Sequence, residues 1–173
     1  MKYFLIETGE GNRIPCRINK NQGIESRILV NEDIQKLPMW NIVEMEFPVE
    51  GFFPDMLCSP CIMISRRFME TVRMYHEGIY YRGIKLWDRE SGVNETYFWA
   101  GFEKVQCLSD KCRFNSVGNR IVDLVLDADK ISSYAVFRIK DYKENCIVGR
   151  LDFVESLLRR GVEGIKLTEV QKS

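Results

Sequence analysis

Two cysteines stand three apart in CSPC (Cys58 and Cys61), and two more stand five apart in CLSDKC (Cys107 and Cys112). Four thiolates in a tetrahedron hold structural zinc, and a close thiol pair at a helix start exchanges electrons. The spacing suits neither chemistry well. The second pair is wider than a zinc knuckle, and 45 residues separate the pairs, enough for a whole helix and strand. Behind Cys61 runs an apolar, strand-like stretch, so no helix terminus is there to lower a thiol pKa. Buried cysteine also serves as a small hydrophobe, which is the reading favoured for Cys61 and for Cys146. A zinc-stabilised adaptor or regulatory module using Cys58, Cys61, Cys107 and Cys112 stays open as the alternative. So does a small enzyme with Cys58 or Cys112 as nucleophile.

Other chemistry-bearing residues are sparse. His76 is the single histidine, and it falls at the end of a helical pattern where a positive charge would complement the helix dipole. Phosphate loops, dinucleotide fingerprints and paired-histidine metal motifs are missing from the sequence. Asp123, Asp127 and Asp129 cluster in DLVLDAD without the glycine and glutamate of a calcium loop, so a strand edge and turn are expected there. The sequence therefore predicts no catalytic residue, no metal site and no cofactor.

Composition narrows the class further. The 173 residues are 45% hydrophobic, with 25 basic residues balancing 25 acidic ones. Such a chain folds around a sizeable core, and it has no overall field to hold nucleic-acid phosphates. The opening MKYFLI is cut off by Glu7 and Glu10, so it reads as a strand and not as a signal peptide. Apolar runs stay short of a membrane span. These features predict one cytoplasmic domain over residues 1–173, with no membrane or nucleic-acid partner and thiols kept reduced.

The elements that must position any site follow from periodicity. Alternation predicts strands at 2–7 and at 41–47, where Val43, Met45 and Phe47 face inward and Glu44 and Glu46 outward. A short strand is expected around Ile14–Ile18, and a strand with one helical turn ahead of Pro38. Further strands are expected at 95–108, 121–126 and 134–139. Two stretches match without a gap: CIMISRRFMETV (61–72) and CIVGRLDFVESL (146–157) share four identities in twelve positions. GIKLW (83–87) then answers GIKLT (164–168). Both copies read as strand, turn, amphipathic helix, glycine stop and second strand, a duplicated unit near 61–87 and 146–168. Ser65 is placed to cap the first helix, with Gly149 in the corresponding turn of the second. Phe68, Val72 and Tyr75 are expected on one buried face, as are Phe153, Val154, Leu157 and Leu158. Gly78 and Gly161 are expected to end the helices in the left-handed conformation. The predicted fold is α+β: a mixed, mostly antiparallel sheet with two or three helices.

This order of features resembles the bacterial polymorphic-toxin immunity proteins, a group first described as a domain family of unknown function. The likeness runs from MKYFLI through CIMISRRFMETV, GIYYRGIKLWD and VQCLSDKCRFN to the long terminal block that begins IVDLVLDADKISSYAVF. It implies a non-enzymatic cytosolic antidote that binds a cognate toxin domain delivered by neighbouring cells. An interface of that kind needs buried aromatic anchors. Trp40, Phe52, Phe53, Trp87 and Trp99 are the candidates, with Glu44 and Glu46 placed to meet a basic toxin surface.

Overall fold

The structure, a computed structural model, describes residues 1–12, 17–18, 34–59, 61–116, 121–142 and 144–173. The fold is α+β with mostly antiparallel pairing. One sheet contains β2 (Arg17–Ile18), β3 (Trp40–Glu46), β6 (Tyr81–Trp87), β7 (Asn94–Ala100), β5 (Met63–Ile64) and β4 (Met56–Leu57), in that spatial order. A second contains β14 (Ile165–Glu169), β1 (Tyr3–Thr8), β13 (Ile147–Arg150), β12 (Val136–Ile139) and β8 (Lys104–Val105). Two short pairs complete the strands: β9 (Arg113–Phe114) with β10 (Ile121–Asp123), and β11 (Val125–Leu126) with β15 (Gln171–Lys172). The helices are α1 (Arg66–Tyr75), the single turn α2 (Ala128–Ile131) and α3 (Leu151–Arg159).

The helices sit where their apolar stripes require. Phe68, Met69 and Val72 of α1 and Phe153, Val154 and Leu157 of α3 are buried in one cluster. That cluster also takes Ile6, Ile147 and Val136 from one sheet and Met56, Ile64 and Phe98 from the other. The matched phenylalanines meet each other, Phe68 against Phe153 with ring centroids 6.1 Å apart. Tyr75 closes the contact by an edge-to-face packing on Phe153 and a 3.0 Å hydrogen bond to the Asp152 carbonyl. Leu158, expected on this face, is instead exposed at the rim.

Pairing shows that the two halves share more than a strand, a helix and a strand. A row across the first sheet runs Met56–Ile64–Phe98–Gly83. The corresponding row of the second runs Val136–Gly149–Phe4–Glu169. Each row is a hairpin strand, the strand before the helix, a central antiparallel strand and the strand after the helix. Two residues further on, Lys85 pairs in parallel with Ile42, and Gln171 pairs in parallel with Val125. Hydrogen bonds repeat as well. Ser65 N–H donates to Asp55 O at 2.9 Å, and Arg150 N–H to Ala135 O at 2.8 Å. Tyr97 hydroxyl donates to Pro54 O at 2.8 Å, and Tyr3 hydroxyl reaches Tyr134 O at 3.2 Å. The central strands β7 and β1 thus correspond, Tyr97-Phe98 to Tyr3-Phe4, although β7 follows the other strands of its half and β1 comes before both halves.

Several expectations change. Gly83 corresponds to Glu169 and not to Gly164, so the two Gly-Ile-Lys-Leu quartets are not equivalent. Ile84 faces away from the helices, whereas Ile165 packs toward them. The residue matching Ser65 is Arg150, the N-cap of α3, which makes no side-chain capping bond. Gly149 lies in β13 instead. A Cβ there would come within 2.8 Å of Ile6 and 2.9 Å of Phe153, so glycine lets α3 sit down on its own strand. Gly161 does end α3 at φ +71°, with the paired carbonyl bonds of a Schellman turn from Gly161 and Val162. Gly78 is not left-handed; α1 ends at His76, whose N–H still reaches Val72 O.

The expected strand at 95–108 is two strands, β7 and β8, parted by a turn at Gly101. The one expected at 121–126 is also divided, because Ile121–Asp123 pairs with β9 and Val125–Leu126 with β15. A 3-10 turn at Ile34–Lys36 precedes Pro38 as expected. The other part of that prediction, and positions 14–16 of the Ile14–Ile18 strand, lie outside the described residues. Among the described residues no helix is long and apolar enough to cross a membrane.

Candidate functional site

The first sheet has two unlike faces. On one, Val43, Met45, Ile84, Leu86, Tyr97 and Trp99 form a buried cluster. Trp99 is 1% exposed, so it belongs to the core and is removed from the docking candidates. Register explains this: Trp99 lies beside Arg82 in the ladder, one residue out of phase with Phe98, and strand side chains alternate faces.

The other face carries α1, but α1 covers it only over β5 and β7. Beyond the helix the strands β3 and β6 present Trp40, Ile42, Glu44 and Glu46 beside Lys85 and Trp87. Trp40 is 58% exposed, Ile42 64% and Trp87 36%. Four of the sequence-nominated residues, Trp40, Glu44, Glu46 and Trp87, therefore share one surface, with Glu44 paired alongside Trp87. Glu46 is exposed and Glu44 half-buried.

Trp40 is held, not loose. Its ring lies over the bare backbone of Gly83, where any Cβ would overlap it, and stands edge-on to Phe98 at 6.0 Å. One flank of the indole is thereby fixed while the rest faces outward. Met39, also exposed, precedes it, and its carbonyl accepts from Gly83 N–H at 2.8 Å. Ile42 and Met39 were missed from sequence. The alternation that exposes Glu44 and Glu46 also exposes Ile42, and that was the available signal.

The two phenylalanines of the proline-punctuated connection stand apart from this surface. Phe52 is exposed and bridges to Asn12, whereas Phe53 is half-buried, packed edge-on against Phe47 at 5.1 Å.

A groove of about 280 Å³ runs between α1 and the open strands, lined by Trp40, Met69, Tyr81 and Phe98 on its floor and by Arg66, Glu70 and Arg73 on the helix side. It continues into a wider depression of about 800 Å³ bordered by Lys85, Glu95 and Thr96. Asp55, at the border of that depression, is occupied structurally. Its carboxylate accepts from Ser65 hydroxyl and, at 2.8 Å, from Glu163 N–H. Ser65 in turn caps α1, accepting from Phe68 N–H at 3.2 Å.

The described thiols do not come together as a site. Cys61 and Cys107 are buried in two different apolar clusters, and Cys58 packs on a third. Cys112 donates to Val125 O at 3.0 Å. Among the described residues no group of three or more His, Cys, Asp or Glu side chains is placed to hold a metal ion. Burial pushes the Cys107 thiol up to about 11 and the Cys146 thiol up to about 12. Burial also raises Cys58, whose Sγ accepts from Thr8 N–H at 3.3 Å. A thiol held protonated is a poor nucleophile and a poor ligand. The aspartates are likewise accounted for: Asp127 caps α2, and Asp123 pairs with Arg113. No protein-family model and no curated protein matches the chain.

Proposed function

We propose that this protein is an immunity protein, a cytoplasmic antidote that binds a cognate polymorphic toxin domain and blocks it by occupying its surface. The observation that carries this reading is the open face of β3 and β6, where Trp40, Ile42 and Trp87 stand exposed together on a rigid sheet. Clustered exposed apolar side chains on a soluble scaffold mark a protein contact, and tryptophan leads the residues that dominate binding energy at such contacts. A ring fixed over Gly83 and against Phe98 loses little further freedom on binding, which favours affinity. Glu44 and Glu46 extend the same surface with carboxylates.

The likeness in motif order to polymorphic-toxin immunity proteins supplies the class of partner. The dispersal of Cys58, Cys61 and Cys107 over three apolar clusters argues against the zinc adaptor, and the raised Cys58 thiol argues against that residue as a nucleophile. Inhibition by contact calls for no turnover.

The test is co-expression with the toxic C-terminal domain of the secreted protein encoded directly upstream. Cells producing the antidote are expected to grow through induction of that domain. Growth arrest in the presence of soluble antidote overturns the reading.

A further inference from the structure

The groove beside Trp40 is unevenly charged in a way that the molecule's other half clarifies. Arg66 and Arg73 lie seven residues apart on the exposed side of α1, and Lys85 faces them from β6. Among the described residues none of the three has a carboxylate partner, and Glu70, between the two arginines, forms an ion pair with neither. Arg67 is different, since it donates to the Gly161 carbonyl.

The corresponding place in the second half is furnished otherwise. Leu151 and Leu158 stand where Arg66 and Arg73 do, as the ungapped match of the helices requires. Glu169 stands at the position of Gly83, and its carboxylate pairs with Lys2 at 2.9 Å. Asp123, at the position of Trp40, pairs with Arg113. Where the second half supplies its own carboxylates to the sheet, the first has glycine and tryptophan, with cations left at the rim. The missing complement is an anion beside an apolar anchor.

The geometry points to an occupant of definite chemistry: an acidic polypeptide segment of the partner, with one large apolar side chain set against Trp40 and the groove floor, flanked by carboxylates that meet Arg66 and Arg73. Guanidinium groups are suited to this because they bind carboxylates in a two-point fork. The inference rests on the antidote reading for the partner's identity and goes beyond it in stating what the partner presents. Glu44 and Glu46 lie at the far end of the same strand, away from these cations.

Two measurements test it. The first is titration of the upstream-encoded toxin domain into the wild-type protein, the charge-reversed double variant Arg66→Glu/Arg73→Glu, and Trp40→Ala, at low and high salt. Both cations are solvent-exposed side chains, so their reversal should lower the thermal midpoint by no more than a few degrees while weakening binding about 30-fold, roughly 1 kcal/mol for each exposed charge contact. Affinity of the wild type should fall with salt, and that of the double variant should not. If the double variant binds as tightly as the wild type while Trp40→Ala is impaired, the acidic segment is overturned and the antidote reading stands. The second is independent of any toxin: selection of a random displayed-peptide library on both proteins. Wild type should enrich Asp or Glu around a Trp, Phe or Leu, and the double variant should lose that consensus. A basic consensus, no consensus, or one kept by the double variant overturns the inference.

Discussion

At the scale of single residues, this protein separates reactive-looking chemistry from reactive chemistry. Six cysteines in a chain of 173 invite a metal or redox account, yet Cys61, Cys107 and Cys146 are buried as small apolar side chains. Alkylation under native, reducing-then-desalted conditions should therefore leave these three unmodified, with full labelling only after denaturation; peptide mass mapping reads the difference. The same burial sets a pH dependence. Cys107 and Cys146 keep their protons in the folded state to about 11 and about 12, whereas an unfolded thiol releases its proton near ~8.5. Below that pH both states are protonated and the contribution to stability is complete. Above it the unfolded chain ionises first, so stability falls as pH rises toward the folded values. The urea midpoint should be lower at pH 9.5 than at pH 7.5. Glycines divide by mechanism too. Gly161→Ala should lose about 1 kcal/mol from its positive φ alone. Gly149→Ala meets the tips of Ile6 and Phe153 and should disturb the α3 seat instead.

Elements hold the two halves together, and the helix pair is the main joint. Truncating Phe153, fully buried against both Phe68 and Tyr75, should destabilise by about 3–5 kcal/mol in chemical denaturation. The equivalent tyrosines offer a finer comparison. Tyr97→Phe leaves the Pro54 carbonyl without its donor, and Tyr3→Phe does the same at Ile131 and Tyr134. Each should lose about 1 kcal/mol, and similar losses would show that the two hydroxyls do the same work.

What could be read beforehand was local. α1 with its Ser65 cap, the alternation of β3 and the inward set Val43 and Met45 all depend on neighbours within a few residues. The burial of Trp99 was hidden because the strand's register against β6 decides which aromatic faces out, and register is a long-range property. The kinship of β1 with β7 was hidden for a related reason: a two-residue Tyr-Phe match, one copy near the start of the chain and one near its middle, has meaning only once both strands are seen between equivalent partners. The Gly-Ile-Lys-Leu match, by contrast, was a stronger sequence signal with no structural counterpart. Of the nominated surface, Trp40, Glu44, Glu46 and Trp87 converge because one strand pair carries them all, while Phe52 and Phe53 ride on a connection whose course periodicity does not specify.

As a whole molecule, the chain is two corresponding halves closed by its own N-terminus. β1 is to the second half what β7 is to the first, and the ends lie close, with the Lys172 ammonium donating to the Met1 carbonyl. Joining Ser173 to Met1 by a short turn would give the second half the same hairpin order as β6 and β7. A circular permutant so joined, with new termini opened in the exposed turn between β6 and β7 at residues 89–92, should keep its thermal midpoint within a few degrees. Loss of cooperative folding would deny that correspondence. The halves differ most at the proposed docking surface: one presents Trp40 over Gly83 beside cations that have no carboxylate partner among the described residues, the other fills the same place with its own ion pairs. The most direct measurement is calorimetric titration, into the wild type and into Trp40→Ala/Trp87→Ala, of the toxin domain that the proposed function expects to be encoded upstream. One-to-one binding is predicted for the wild type, weakened about 100-fold or more in the variant while its cooperative unfolding is retained. Equal affinity for both proteins, or none for either, would contradict it.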